Sequence, residues 1–138
     1  MSSAVFTYGS LTFDPVWQAV VRGACGSVPA VVRGYRRHAL RDATYPAMVA
    51  AADGEVRGRL WLAVADDDVA RLDRFEGAEY RRVAVLARPL AGGPAVTAQA
   101  YLWLDPARLL PHDWDIAAFE RDHLRDFAQV HGAAGQAD

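Results

Sequence analysis

The chain has 138 residues, 52% of them hydrophobic and 23% charged, with a formal net charge of -2. That suits one folded domain and excludes a disordered chain, while the charge balance offers no footprint for a phosphate backbone. No apolar run nears the roughly 20 residues that cross a bilayer, the start Met1-Ser2-Ser3-Ala4-Val5-Phe6 has no signal-peptide character, and the lone Cys25 excludes a disulfide framework or thiolate zinc cluster.

These features predict a small cytoplasmic domain over residues 1–131, a disordered tail over 132–138, and neither a nucleic-acid nor a membrane partner. All fifteen basic residues are arginine. Without a lysine there is no Schiff base and no Walker-type phosphate cradle.

In chain order, Val5-Phe6-Thr7-Tyr8 predicts a first strand stopped by Gly9. Asp14-Pro15 predicts a helix start, with Asp14 as N-cap and Gly23 as the end. Residues 28–41 are β-branched and aromatic around Gly34, and predict an extended, bent strand. Tyr45-Pro46 marks a turn before a strand at Ala47-Met48-Val49-Ala50. Asp53-Gly54 predicts a hairpin leading into a strand over 56–64.

Asp66, Asp67 and Asp68 precede Val69, Leu72 and Phe75 at helical spacing, with acids at the favourable end and Gly77 as the stop. Two half-apolar strands follow, over 80–89 and 96–104, separated by Gly92-Gly93-Pro94. Asp113 or Asp115 then caps a helix through Ile116, Phe119, His123, Leu124 and Phe127. Several strands with few, irregularly spaced helices predict an α+β domain around a mostly antiparallel or closed sheet.

Two stretches carry chemistry. In Phe6-Thr7-Tyr8-Gly9-Ser10-Leu11 a strand ends in Gly-Ser shortly before a helix. Such a bend can be an ordinary turn, or it can hold a carboxylate or carbonyl oxygen on backbone N–H groups and the Ser10 hydroxyl. The glycine spacing of a dinucleotide loop and the Gly-x-Ser-x-Gly elbow of a serine hydrolase are both absent.

The second stretch is Leu72-Asp73-Arg74-Phe75-Glu76-Gly77-Ala78-Glu79-Tyr80-Arg81-Arg82. Glu76 falls in the last helical turn, where the C-terminal carbonyls disfavour a carboxylate. With Phe75 and Tyr80 as apolar walls and Glu79 as a nearby like charge, a buried Glu76 would have a raised pKa and exchange protons near neutral pH. The other possibility is a solvated Glu76 paired with Arg74 or Arg81.

The combination of Tyr8-Gly9-Ser10-Leu11 with Leu72-Asp73-x-x-Glu76-Gly77-x-x-Tyr80-Arg81-Arg82 resembles the γ-glutamylcyclotransferase-like (AIG2-like) family. The resemblance takes in Gly34-Tyr35-Arg36, Tyr45-Pro46, Val56-x-Gly58-x-Leu60-Trp61 and Ala100-Tyr101-Leu102-Trp103. The ending, Trp114-x-x-x-x-Phe119-x-x-x-His123-Leu124, is similar to bacterial members. The resemblance implies a small mixed β-barrel flanked by helices, and a reaction that turns a γ-glutamyl amine or peptide into 5-oxoproline and a free amine. It also implies that Glu76 is the acid/base and that the Tyr8–Leu11 loop binds the glutamyl group.

The chemistry is consistent with this. The nucleophile is tethered to its own carbonyl, and well-oriented intramolecular attack reaches effective molarities of about 10⁵ M or more. No metal, cofactor or covalent nucleophile is needed. Gly9, Ser10 and Leu11 N–H groups would hold either the α-carboxylate or the developing oxyanion. Tyr80 and Tyr101 are pocket hydroxyls or packed strand aromatics.

Two alternatives share the fold: a non-catalytic module that binds a small acidic metabolite, and removal of a γ-glutamyl protecting group in a biosynthetic pathway. The remaining residues point elsewhere than to chemistry. His38, His112, His123 and His131 lack metal-ligand spacing, the Asp66–Asp68 run reads as helix-start electrostatics, and Arg36, Arg37 and Arg41 read as a solvated strand face or, alternatively, as a group that attracts an anionic substrate. Trp61 and Trp103 read as core or pocket wall, and Trp114 as the anchor of the final helix.

Overall fold

Strand-forming residues dominate the sequence on both sides of residues 66–76, and the strands close on themselves. The computed structural model describes residues 1–129; the tail expected at 132–138 lies outside them. Five strands, β1 (Ser2–Thr7), β2 (Ser27–His38), β3 (Ala47–Ala65), β4 (Tyr80–Pro89) and β5 (Val96–Trp103), form a closed barrel in the order β1-β3-β2-β4-β5. All neighbours are antiparallel except β1 and β5, which run parallel and meet at Val5 and Gln99. Three helices flank it: α1 (Asp14–Val20), α2 (Asp66–Glu76) and α3 (Ile116–Asp122), with a further helical stretch over 124–129. The mixed barrel flanked by helices is the expected α+β architecture.

Alternation along β1 sends its side chains into two different apolar clusters. Phe6 points into the barrel with Val32, Met48, Leu60, Ala87 and Ala100. Val5 points outward and packs with Val16, Trp17, Trp61, Val64, Leu72 and Tyr101 beneath α1 and α2. Trp17 and Trp61 stack with ring centroids 4.0 Å apart and planes 2° apart.

The hairpin expected at Asp53-Gly54 is absent: β3 runs unbroken over 19 residues. Its register against β2 shifts between Arg33, opposite Glu55, and Tyr35, opposite Ala50, so Asp53-Gly54 lies in a bulge of β3 opposite the Gly34 bend. A Cβ at Gly54 would stand 2.2 Å from the Tyr35 carbonyl oxygen, so glycine serves a close approach there rather than a turn.

Helix starts are also partly redrawn. Asp14 is not the N-cap of α1; Phe13 is, and Asp14 instead pairs with Arg59 at 3.0 Å. The helix ends at Val20, with Val21 as its C-cap, before Gly23. Asp115 caps α3 by accepting from the Ala118 N–H, whereas Asp113 serves Arg37. Among the described residues no helix is long and apolar enough to cross a membrane.

Candidate active site

The end of α2 sets the position of Glu76. Gly77 adopts φ 76°, outside the reach of most side chains, and its N–H closes the last turn on the Asp73 carbonyl. Glu76 is therefore the final helical residue. Its side chain lines a cavity of about 220 Å³ together with Tyr8, Gly9, Ser10, Leu11, Tyr80 and Tyr101. Every sequence-predicted site residue thus meets at one cavity, although the two stretches are far apart in the chain. Phe6, Thr7, Tyr45, Pro46, Phe75, Glu79 and Phe127 also line it.

Among the described residues the half-buried Glu76 makes no hydrogen bond or ion pair, so the expected alternative of pairing with Arg74 or Arg81 is not found. Burial pushes its carboxyl up to about 8, and the Asp73 carboxylate adds to the rise. The like charge is thus Asp73, one turn back on the helix, and not Glu79 as expected. Glu79 is bound by Arg108 at 2.9 Å.

The first loop turns through a 3₁₀ segment, Ser10–Thr12, whose internal bonds begin with Thr12 N–H to the Gly9 carbonyl and Phe13 N–H to the Ser10 carbonyl. Ser10 and Leu11 N–H groups stand outside those bonds, at the open end of the turn. Gly9 has an ordinary φ of -127°, and a Cβ there would lie 2.8 Å from the Pro46 ring. Glycine at this position lets the loop sit against Pro46, a different reason from the ligand approach expected.

Two arginines hold this loop: Arg37, expected on a solvated strand face, and Arg59, which no sequence motif singles out. Arg37 donates through Nη1 to the Tyr8 carbonyl at 2.8 Å and through Nε to Asp113 at 2.8 Å. It is no solvated strand residue: its side chain is 15% exposed. Arg59 donates to the Thr12 carbonyl at 2.9 Å and to Ser27 Oγ at 2.6 Å, and lies over the Trp61 ring. Both sit in strands beside ordinary surface arginines, and nothing in local spacing sets them apart.

The tyrosine hydroxyls are already committed as donors. Tyr8 donates to the Tyr101 carbonyl at 2.6 Å, Tyr80 to the Pro46 carbonyl at 2.8 Å, and Tyr101 to Asp73 Oδ1 at 2.6 Å. Burial, joined by Glu76 in each case, raises all three phenols and keeps them neutral. What they offer the cavity is ring faces and oxygen lone pairs, not protons.

Other residues take structural parts. Asp68, expected to act as helix-start charge, is 3% exposed and accepts from Arg22 and Gly23 N–H groups at 2.9 and 3.0 Å. Burial acts to raise its pKa, but these bonds and Arg71 outweigh it and lower the carboxyl. Burial, with the Asp68 charge, raises the Cys25 thiol, so it is poorly suited to act as a nucleophile. Trp114 anchors the last helix, packing on Phe119 and donating to the Thr44 carbonyl at 2.8 Å.

Comparison with known proteins places this geometry. Residues 5–116 match the family described as gamma-glutamyl cyclotransferase, AIG2-like. Protein AIG2 C of Arabidopsis thaliana is 30% identical over 131 residues, covering 94% of this chain and 79% of the relative. A solution structure of an Arabidopsis thaliana protein superposes with a TM-score of 0.73 at 28% identity, covering 97% of this chain and 82% of that one. A structure named gamma-glutamyl cyclotransferase shares the fold, with a TM-score of 0.66 at 15% identity over 96% of this chain and 88% of its own. The chain belongs to the gamma-glutamyl cyclotransferase, AIG2-like family.

Proposed function

We propose that the chain is a γ-glutamyl cyclotransferase-type enzyme in which Glu76 is the acid/base. The observation that carries this is one cavity shared by the Tyr8–Leu11 loop and a carboxyl that has no partner among the described residues and is pushed up to about 8. A site that only bound an acidic metabolite would gain nothing from a second carboxyl that turns negative as pH rises through about 8.

The cavity suits a γ-glutamyl head group. None of the described lining side chains is cationic. The α-carboxylate of the substrate is therefore held by Ser10 and Leu11 N–H groups and the Ser10 hydroxyl. The α-ammonium faces Glu76 and the tyrosine oxygens. Glu76 takes one proton from it, and the freed amine attacks the γ-carbonyl carbon. A C–N bond forms to close the five-membered ring, Glu76 gives its proton to the departing nitrogen as the γ C–N bond breaks, and the carboxylate so restored takes the second proton from the ring nitrogen, which passes to the released amine or to solvent. The balance is γ-glutamyl amide to 5-oxoproline and amine, with no water consumed.

Incubation with a set of γ-glutamyl amides and peptides, followed by detection of 5-oxoproline, tests the proposal. Catalytic release from at least one member is expected. Saturable binding of these compounds with no release would leave only a binding module.

A further inference from the structure

We propose that the protein has a second ligand site, for a dianionic phosphate group, and that Arg37 links its occupancy to the first loop. The reading of Glu76 is not needed for this, and the test requires no turnover. The carrying observation is a second cavity, of about 480 Å³, where β2 and β3 meet the segment before α3. Its charged lining is Arg36, Arg37 and Arg57 with Glu55 and Asp113, and none of these residues lines the cavity of Glu76.

The charges do not cancel. Asp113 is committed to Arg37, which it meets at 2.8 and 3.2 Å, and to the Trp114 N–H at 2.7 Å. Glu55 faces Arg33 at 3.8 Å. Arg36 and Arg57 are exposed and have no hydrogen bond or ion pair among the described residues. Two guanidinium groups therefore stand uncompensated along one cavity, in a chain whose net charge is -2. A phosphate monoester carries close to two negative charges at neutral pH, and its oxygens match guanidinium forks. A carboxylate brings a single charge to the same two cations. The volume is that of a small-molecule pocket, with Pro111 as an apolar edge for whatever the phosphate is attached to.

Arg37 belongs to both places. Its Nε and Nη2 hold Asp113 in the second cavity, and its Nη1 holds the Tyr8 carbonyl at 2.8 Å. The Tyr8 carbonyl and the Gly9 N–H share one planar peptide unit. A phosphate that draws on the Arg37 guanidinium is therefore felt at the start of the loop.

The test titrates the ¹⁵N-labelled protein with phenyl phosphate, inorganic phosphate and benzoate, at an ionic strength held constant with sodium chloride. Phenyl phosphate is expected to saturate, moving the Arg57 and Gly9 amide resonances along one binding curve. Benzoate, with its single charge, should bind about tenfold more weakly. Arg36→Gln and Arg57→Gln should each weaken phenyl phosphate by about tenfold, the scale of one charge-assisted hydrogen bond. Arg22→Gln, an exposed arginine just after α1, should not. Inorganic phosphate equalling phenyl phosphate sustains the site as one for the free ion, and weaker binding sustains it as one for a phosphate ester. No saturation by either, benzoate equal to phenyl phosphate, or affinity indifferent to both cavity variants overturns the site. Saturation with the Gly9 resonance unmoved overturns the link through Arg37.

Discussion

Asp73 stands one helical turn before Glu76 on α2, and its carboxylate adds to burial in keeping Glu76 protonated to about pH 8. Asp73 is itself held by Tyr101 at 2.6 Å and Arg82 at 2.9 Å, so its charge is fixed in place. In the proposed mechanism the ionised form of Glu76 is the base, so kcat/KM should rise with pH through about 8. Asp73→Asn keeps an acceptor for Tyr101 and removes the like charge. The rising limb should move to lower pH by up to roughly one unit. A limb that stays in place would remove Asp73 from the electrostatics of the site.

The same shift affects stability. The pKa of Glu76 is near 8 in the folded chain and near the ordinary 4.5 when unfolded. Between these values the unfolded chain releases a proton that the native state keeps, so stability falls as pH rises across the window. Glu76→Gln escapes that loss. Its advantage over wild type should be absent below pH 4.5 and grow to on the order of 1–3 kcal/mol by pH 8, read by denaturant melts. A constant difference between the proteins at all pH values would contradict burial of this carboxyl.

Gly9→Ala places a methyl group 2.8 Å from the Pro46 ring, whose carbonyl also receives the Tyr80 hydroxyl. The loop and the proline must separate, which shifts two sides of the cavity together. A stability loss of about 1–3 kcal/mol is expected from this overpacking, with a larger rise in KM than fall in kcat. Wild-type KM in the variant would show that the loop does not contact substrate.

Arg37→Lys tests how the loop is held. The guanidinium bridges Asp113 and the Tyr8 carbonyl with separate N–H groups, a fork that an ammonium does not reproduce. Loss of one of these bonds should lower stability by about 1–3 kcal/mol and raise KM, both measured against Arg41→Lys as a surface control. Equal behaviour of the two variants would make Arg37 an ordinary surface charge.

Legibility from the sequence followed the range of each interaction. The end of α2 at Gly77, the strands β4 and β5 and the Asp115 cap depend on neighbours within a few residues, and they were readable. So were both halves of the cavity, as separate stretches. Asp53-Gly54 misled because the same dipeptide serves a tight turn or a bulge, and only the Tyr35 carbonyl opposite selects between them. Asp73 was missed as the charge acting on Glu76 because its role is set by Tyr101 and Arg82, which arrive from β5 and β4. Arg37 and Arg59 act on carbonyls in another part of the chain, contacts that leave no periodic trace.

The most direct test compares release of 5-oxoproline by the wild type and by Glu76→Gln on the best accepted γ-glutamyl amide, with both proteins shown folded. The amide keeps the size of Glu76 and its hydrogen-bonding reach but carries no proton between the two nitrogens. Turnover should fall by about 10²–10⁴ while substrate still binds. Undiminished turnover in the glutamine protein would contradict proton transfer by Glu76.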